Sequence, residues 1–267
     1  MPDKKNRYSQ IVEAVFFERY DKTATAFEFE RKDIERHAKK LGIVLPKNIG
    51  DLIYTFRYRQ PLPKSITETC PPDKEWLILP AGKSRYRFSL ANIVKLVPNK
   101  SLSKIKIPDA TPGIISAYAL GDEQALLAKL RYNRLLDIFT RVTCYSLQNH
   151  LRTAVPGMGQ VETDEVYVGL DRSGTQYVFP VQAKGGRDIL RTVQARQDIA
   201  MCADKFPKLV CRPIAAQFMA DDTIALFELE LTDEGIRVAV EKHYRLVSPD
   251  KITEHDLSNY RQLRDEL

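Results

Sequence analysis

The sequence predicts an α+β (α/β) protein in two parts: helices followed by a hairpin, then strands mixed with helices. Three observations predict this. In the first part apolar residues recur at helical spacing and then give way to short β-rich runs. In the second part, β-rich runs alternate with amphipathic stretches. Between them lies Pro108-Asp109-Ala110-Thr111-Pro112-Gly113, a turn-rich boundary across which the charge changes sign. Cutting at Ile107 leaves 22 basic and 12 acidic residues before the cut, net +10, and 19 basic and 23 acidic after it, net −4. The expected domains are therefore 1–107 and 108–267. The first is suited to a polyanion and the second to work that needs carboxylates.

Tyr8 to Tyr20 places Ile11, Val12, Val15, Phe16 and Phe17 on one stripe, which predicts a first helix. Arg31 to Gly42 carries Ile34, Ala38 and Leu41 at helical spacing, a basic last turn and a terminal glycine. That is a second helix, on which His37 reads as a surface residue. Asn48 is a plausible N-cap for a third, running through Leu52, Ile53 and Phe56 to Arg59, where Pro61 stops it. Trp76 to Phe88 reads as two strands about the turn containing Gly82.

Helix, helix, turn, helix, hairpin over residues 8–98 resembles a winged helix-turn-helix domain. The resemblance implies that the third helix enters the major groove of double-stranded DNA and that the wing touches its backbone. Lys47, Asn48, Tyr54, Arg57, Tyr58 and Arg59 would then be DNA-binding on the third helix, and Lys83, Ser84, Arg85 and Arg87 on the wing.

In the second part, Asp122 to Phe139 has Leu126, Leu127, Leu130, Leu135, Leu136 and Phe139 on a helical face, with acidic residues at its start. Tyr145 to Ala154 is read as another helix. Gly159–Leu170 and Tyr177–Gly186, joined by Asp171-Arg172-Ser173-Gly174, predict a hairpin. Side chains two apart on a strand share a face, so Glu162 projects with Asp164, and Gln182 with Lys184. Three oxygen donors and one ammonium would converge, a set suited to a hard cation and to phosphodiester hydrolysis. Asp188 to Phe206 follows as an amphipathic helix, Leu209 to Phe218 as a strand, and residues around Thr232–Gly235 as a last hairpin.

At these residues the chain resembles the PD-(D/E)XK nuclease superfamily, which includes many type II restriction endonucleases; the resemblance covers residues 122–218. It implies a mixed sheet with flanking helices, bound Mg²⁺ (Mn²⁺ substituting), and cleavage of DNA. Asp164 matches the first metal ligand, Gln182 the position usually acidic, and Lys184 the catalytic lysine. Because an amide carbonyl binds Mg²⁺ more weakly than a carboxylate, Glu162 is the expected additional ligand, with Glu165 next if a bulge reverses the register. Gln194 and Gln197 resemble glutamines of recombination-type members, though on a polar helix face they also read as solvated. His150 and Arg152 are isolated groups that could meet phosphate.

The function expected is that of a Mg²⁺-dependent restriction-type endonuclease. Two active sites for two strands imply a homodimer. The alternative is a DNA-binding regulator whose nuclease-like domain is degenerate. The polar start Met1-Pro2-Asp3-Lys4-Lys5 predicts a cytoplasmic address. The longest apolar runs fall far short of the roughly 18–20 residues of a membrane span. The 4 scattered cysteines read as free thiols.

Overall fold

The computed structural model describes residues 7–93, 96–118, 123–156, 158–185, 192–219, 221–232 and 235–265, without the side chains of 58, 59 and 263–265. It is a mixed α+β protein with two open sheets and two compact units. One unit comprises Met1–Lys95 with Thr153–Val161 and Thr232–Gly235; the other comprises Leu96–Arg152, Glu162–Leu231 and Ile236–Leu267. The break falls after Lys95 instead of after Ile107, because a strand that spans Ile107 is recruited into the second unit's sheet.

The first unit runs α1 (Arg7–Phe17), β1 (Ala26–Glu30), α2 (Arg31–Lys40) and α3 (Gly50–Tyr54), then a π-helical turn (Thr55–Arg59). It ends with α4 (Lys64–Thr67), β2 (Lys74–Pro80) and β3 (Arg85–Asn92). The expected helices and hairpin are present; β1 and α4 are additions. β1 pairs antiparallel with β3, giving a sheet of order β1-β3-β2. Alternation in β1 is short, Ala26-Phe27-Glu28-Phe29-Glu30, and only pairing with β3 makes it a strand. Asp33 and Glu30 form a reciprocal capping box at the start of α2. Phe16 anchors the core, packing edge-on against Trp76 and Phe88 with ring centroids 5.3 and 5.0 Å away. His37 corrects the surface reading: it is buried, with Nε2 3.1 Å from Glu18 Oε2, because α2 packs that face toward the end of α1.

The second unit begins with β4 (Lys104–Pro108), α5 (Gly113–Tyr118), α6 (Glu123–Tyr132) and α7 (Leu135–Thr140). β5 (Thr143–Val155), β6 (Gly159–Leu170), β7 (Gln176–Lys184) and α8 (Thr192–Lys205) follow. Then come β8 (Val210–Cys211), β9 (Ile214–Phe218), β10 (Thr223–Thr232), β11 (Gly235–Val247), a 3₁₀ turn (Pro249–Lys251) and α9 (Glu254–Asp265). The sheet order is β4-β11-β10-β9-β7-β6-β5, with β8 beside β7. It is mixed: β6/β7 and β9/β10 are antiparallel, and β7/β9 and β4/β11 parallel. Leu126, Leu130 and Leu136 from α6 and α7 close a core over Phe179, Val181, Ala216, Leu226 and Tyr244.

Three expectations are corrected here. The single helix from Asp122 to Phe139 is broken at Asn133-Arg134. The Asn133 amide accepts from Ala110 N–H at 2.7 Å and donates to Thr111 Oγ1 at 2.9 Å, while Arg134 adopts φ 49°. Tyr145–Ala154 is strand β5, not helix. Its β-branched and aromatic residues, Thr143, Tyr145, Thr153 and Val155, fit a pleated edge beside β6, and that pairing makes the segment a strand. The predicted strand from Leu209 is divided around Arg212-Pro213, where proline cannot donate to a ladder. The predicted helix start at Asp188 lies outside the described residues, and so does Gly186. Among the described residues no helix is long and apolar enough to cross a membrane. All 4 cysteines are free thiols.

Gly169, opposite Tyr177 in the β6/β7 ladder, permits close packing: a Cβ there would lie 2.6 Å from Val142 Cγ1, 2.9 Å from Phe179 Cε2 and 3.1 Å from the Thr143 carbonyl oxygen. Gly169→Ala is expected to cost about 1–3 kcal/mol through overpacking, read as a lower urea midpoint with unchanged slope.

Candidate active site

The antiparallel ladder of β6 and β7 runs from Leu170↔Gln176 to Glu165↔Val181 and then stops. Beyond it, side chains take over the backbone groups. The Asp164 carboxylate accepts the Ala183 N–H at 2.8 Å, and the Gln182 amide donates to the Glu162 carbonyl at 3.2 Å. Strand alternation breaks at the same point. Thr163 Oγ1 donates to Asp198 on α8 at 2.6 Å, whereas Glu165 accepts from Arg131 on α6 at 2.8 Å and from Ser146 at 2.6 Å. In an undisturbed strand these two residues would share a face. Here they meet different helices.

The opened end gathers charge. Lys184 Nζ donates to Glu123 Oε1 at 2.6 Å, with the lysine side chain only 16% exposed. Glu123 is the first residue of α6, where a carboxylate also complements the helix dipole. Half-buried Asp164 lies within electrostatic reach of both. Burial raises its carboxyl pKa; the Ala183 N–H and the Lys184 charge oppose that rise, and Glu123 adds to it. His150, on edge strand β5, has a left-handed backbone with φ 48° and sets Nε2 3.0 Å from the Gln124 amide nitrogen.

Gln182 is placed differently from the expectation. Its amide nitrogen donates to Asp198 Oδ2 at 3.1 Å and Oδ1 at 3.3 Å, and its carbonyl accepts from Gln194 at 3.3 Å. Asp198 is 1% exposed, and burial pushes its pKa up to about 7 against the bonds from Thr163 and Gln182. Gln194 therefore belongs to an internal network, and Gln197 is buried, not solvated. Glu162 pairs with Arg152 at 2.9 Å, while the lysine pairs with Glu123. Glu165 is fully buried and held by Arg131, a structural ion pair.

Of the expected convergence, then, Asp164 and Lys184 come together, while Gln182 and Glu162 do not join them. Glu123, which sequence reasoning missed, is the carboxylate that Lys184 binds. Its signal was only that of an acidic helix start, 61 residues before Lys184. Among the described residues no group of three or more His, Cys, Asp or Glu is arranged to hold a metal ion. The donors at the opened end are two carboxylates, the hard oxygen type that Mg²⁺ accepts alongside water and phosphate oxygens. Asp164 is also an anion short of solvation. Asp164 and Glu123 are the oxygen donors of that type here; the Gln182 amide, turned to Asp198, is not among them.

In the first unit, Lys47, Lys83, Ser84 and Arg85 are exposed, and so is Tyr54. Ser84 has φ 59°, and its carbonyl accepts from Arg31 N–H at 2.9 Å, which shapes the hairpin tip. Arg87 is exposed but pairs with Glu28 at 2.9 Å. Asn48 uses its side chain locally, accepting from Gly50 N–H at 3.1 Å and donating to Asp51 at 2.9 Å. Arg57 departs from expectation: it is buried, because the π-helical turn carries it inward beside Phe56. The side chains of Tyr58 and Arg59 lie outside the described residues.

No protein-family model, curated protein or solved structure matches the chain.

Asp198 also sets a pH dependence. Its folded pKa of about 7 stands above its ordinary 3.8, so the folded protein keeps a proton that the unfolded chain releases between those values. Stability from this group is present at low pH and falls as pH rises through that window. Asp198→Asn is expected to flatten the stability profile between roughly pH 4 and 7, measured by urea unfolding at stepped pH.

Proposed function

We propose that this protein is a metal-assisted nuclease of the PD-(D/E)XK type acting on double-stranded DNA, with a winged helix-turn-helix reader in its first unit. The observation that carries the reading is the opened end of β6/β7, where Asp164, Lys184 and Glu123 gather. Asp164 and Glu123 would hold Mg²⁺. When bound, the ion supplies charge neutralisation at the scissile phosphate. Lys184, released from Glu123, hydrogen-bonds the attacking water or a phosphate oxygen, stabilising charge that develops in the transition state. Gln182 positions the site: by giving its amide to Asp198 and the Glu162 carbonyl it holds the two strands open. Lys83 and Arg85, with Lys47, supply exposed cations for the DNA backbone, and a homodimer would bring two sites to two strands.

A second reading, a DNA-binding regulator with a degenerate nuclease-like unit, is favoured by one observation: the Gln182 carbonyl is committed to Gln194. It predicts salt-dependent binding without cleavage. Under that reading, activity gained by Gln182→Glu would mark the missing carboxylate.

Plasmid and linear DNA incubated with Mg²⁺ or Mn²⁺, and with EDTA, separate the two. Metal-dependent cleavage is expected, and Lys184→Ala, Asp164→Asn and Glu123→Gln should each lower its rate by about 10²-fold or more. No cleavage across a broad panel of sequences, with binding intact, would leave the regulator. Lys83→Ala and Arg85→Ala should weaken DNA binding across all sequences and reduce the salt slope by roughly one each, followed by fluorescence anisotropy.

A further inference from the structure

We infer that His150 contacts the substrate, its ring donating a hydrogen bond to an oxygen of the phosphate bound beside Asp164 and Lys184. This rests on the nuclease reading above and adds a residue to it.

Three observations on the backbone and side chain lead there. First, His150 lies within the 13-residue strand β5, yet its φ is 48°, in the left-handed region. Non-glycine residues occupy that region at a cost, and such residues cluster where a side chain must be aimed. β5 is the edge of its sheet, where a local break in the pleat redirects a side chain without disturbing a second neighbour. Second, the ring meets Gln124, next to Glu123 on α6, at 3.0 Å. With the Gln124 amide nitrogen donating, Nε2 accepts and the ring's N–H is on Nδ1. The contact thus fixes the tautomer and leaves one N–H for a ligand. Third, His150 is exposed and so reachable by DNA, and its Gln124 contact sets the ring beside Glu123, the carboxylate that Lys184 binds.

A purely structural role fits poorly. Glycine would adopt φ 48° without strain, and one exposed contact with a glutamine is a weak tether. An imidazole with one nitrogen tied down and the other able to donate is a phosphate donor of the kind Lys184 alone does not supply.

The test compares wild type, His150→Gly and Lys184→Ala for Mg²⁺-dependent cleavage of one DNA substrate, alongside thermal unfolding. His150→Gly is expected to unfold at the same or a higher temperature, because strain is relieved, while its cleavage rate falls by about 10- to 100-fold. Added imidazole should restore part of the rate in His150→Gly and none in Lys184→Ala. If the wild type cleaves and His150→Gly cleaves within about twofold of it, the inference is overturned and the nuclease reading stands. If the glycine variant loses activity together with thermal stability, and imidazole restores nothing, His150 is structural and the inference also falls. If the wild type cleaves nothing with Mg²⁺ or Mn²⁺, the nuclease reading fails and the inference goes with it.

Discussion

Where β6 and β7 part, two backbone groups lose their ladder partners, and the way they are satisfied organises the second unit. An unpaired buried N–H or C=O costs about as much as a lost hydrogen bond. Asp164 takes the Ala183 N–H and Gln182 covers the Glu162 carbonyl, so the strands can diverge without leaving orphans. Divergence then sends neighbouring side chains in different directions. Thr163 and Gln182 reach Asp198 on α8, while Lys184 and Glu165 reach Glu123 and Arg131 on α6. A regular hairpin would have lined up Glu162, Asp164, Gln182 and Lys184; this one sends Gln182 to α8, Lys184 to α6 and Glu162 to Arg152 on β5.

The electrostatics follow from that sorting. Three carboxyl groups, Asp164 and Glu165 on β6 and Asp198 on α8, sit in a setting that penalises charge. Each is compensated differently. Glu165 has a guanidinium and a hydroxyl, Asp198 has a hydroxyl and an amide and, among the described residues, no cation, and Asp164 has one backbone donor and a lysine shared with Glu123. Asp198 accordingly titrates far above its ordinary range, while Asp164 is shifted in the same direction but tempered by Lys184. Asp164 and Glu123 thus share the charge of Lys184. At the other end of the same strand pair the problem does not arise. Arg212 forms a two-point ion pair with Glu228 at 2.7 Å for each bond, its guanidinium 5.5 Å from the Tyr177 and Phe179 ring centres, and packing is dense enough to need Gly169.

Legibility tracked the range of the interactions. The helices around Ile11, Ile34 and Leu52, the β2/β3 hairpin and the β6/β7 and β10/β11 pairs could be read because their signals are local: apolar spacing and turn residues a few positions apart. β5 was misread because an edge strand buries few residues, so its apolar pattern is weak and its identity comes from β6. The break between α6 and α7 depends on Asn133 bonding back to Ala110 and Thr111, some twenty residues away. Asp164 and Lys184 were recognisable as a pair, but Glu123 was not.

By itself the sequence determined that the chain is α+β, that its basic excess sits in the first part, and that Asp164 and Lys184 belong to adjacent strands. These rest on composition and on periods of 2.0 and 3.6 residues, which any stretch of chain expresses locally. Only the tertiary structure decided that Gln182 serves Asp198, that Glu123 joins the lysine, that Arg57 turns inward and that His150 stands strained at the sheet edge. Each of those depends on a partner far away in the chain, and a strand that departs from its own alternation gives no sign of it until its neighbours are in place.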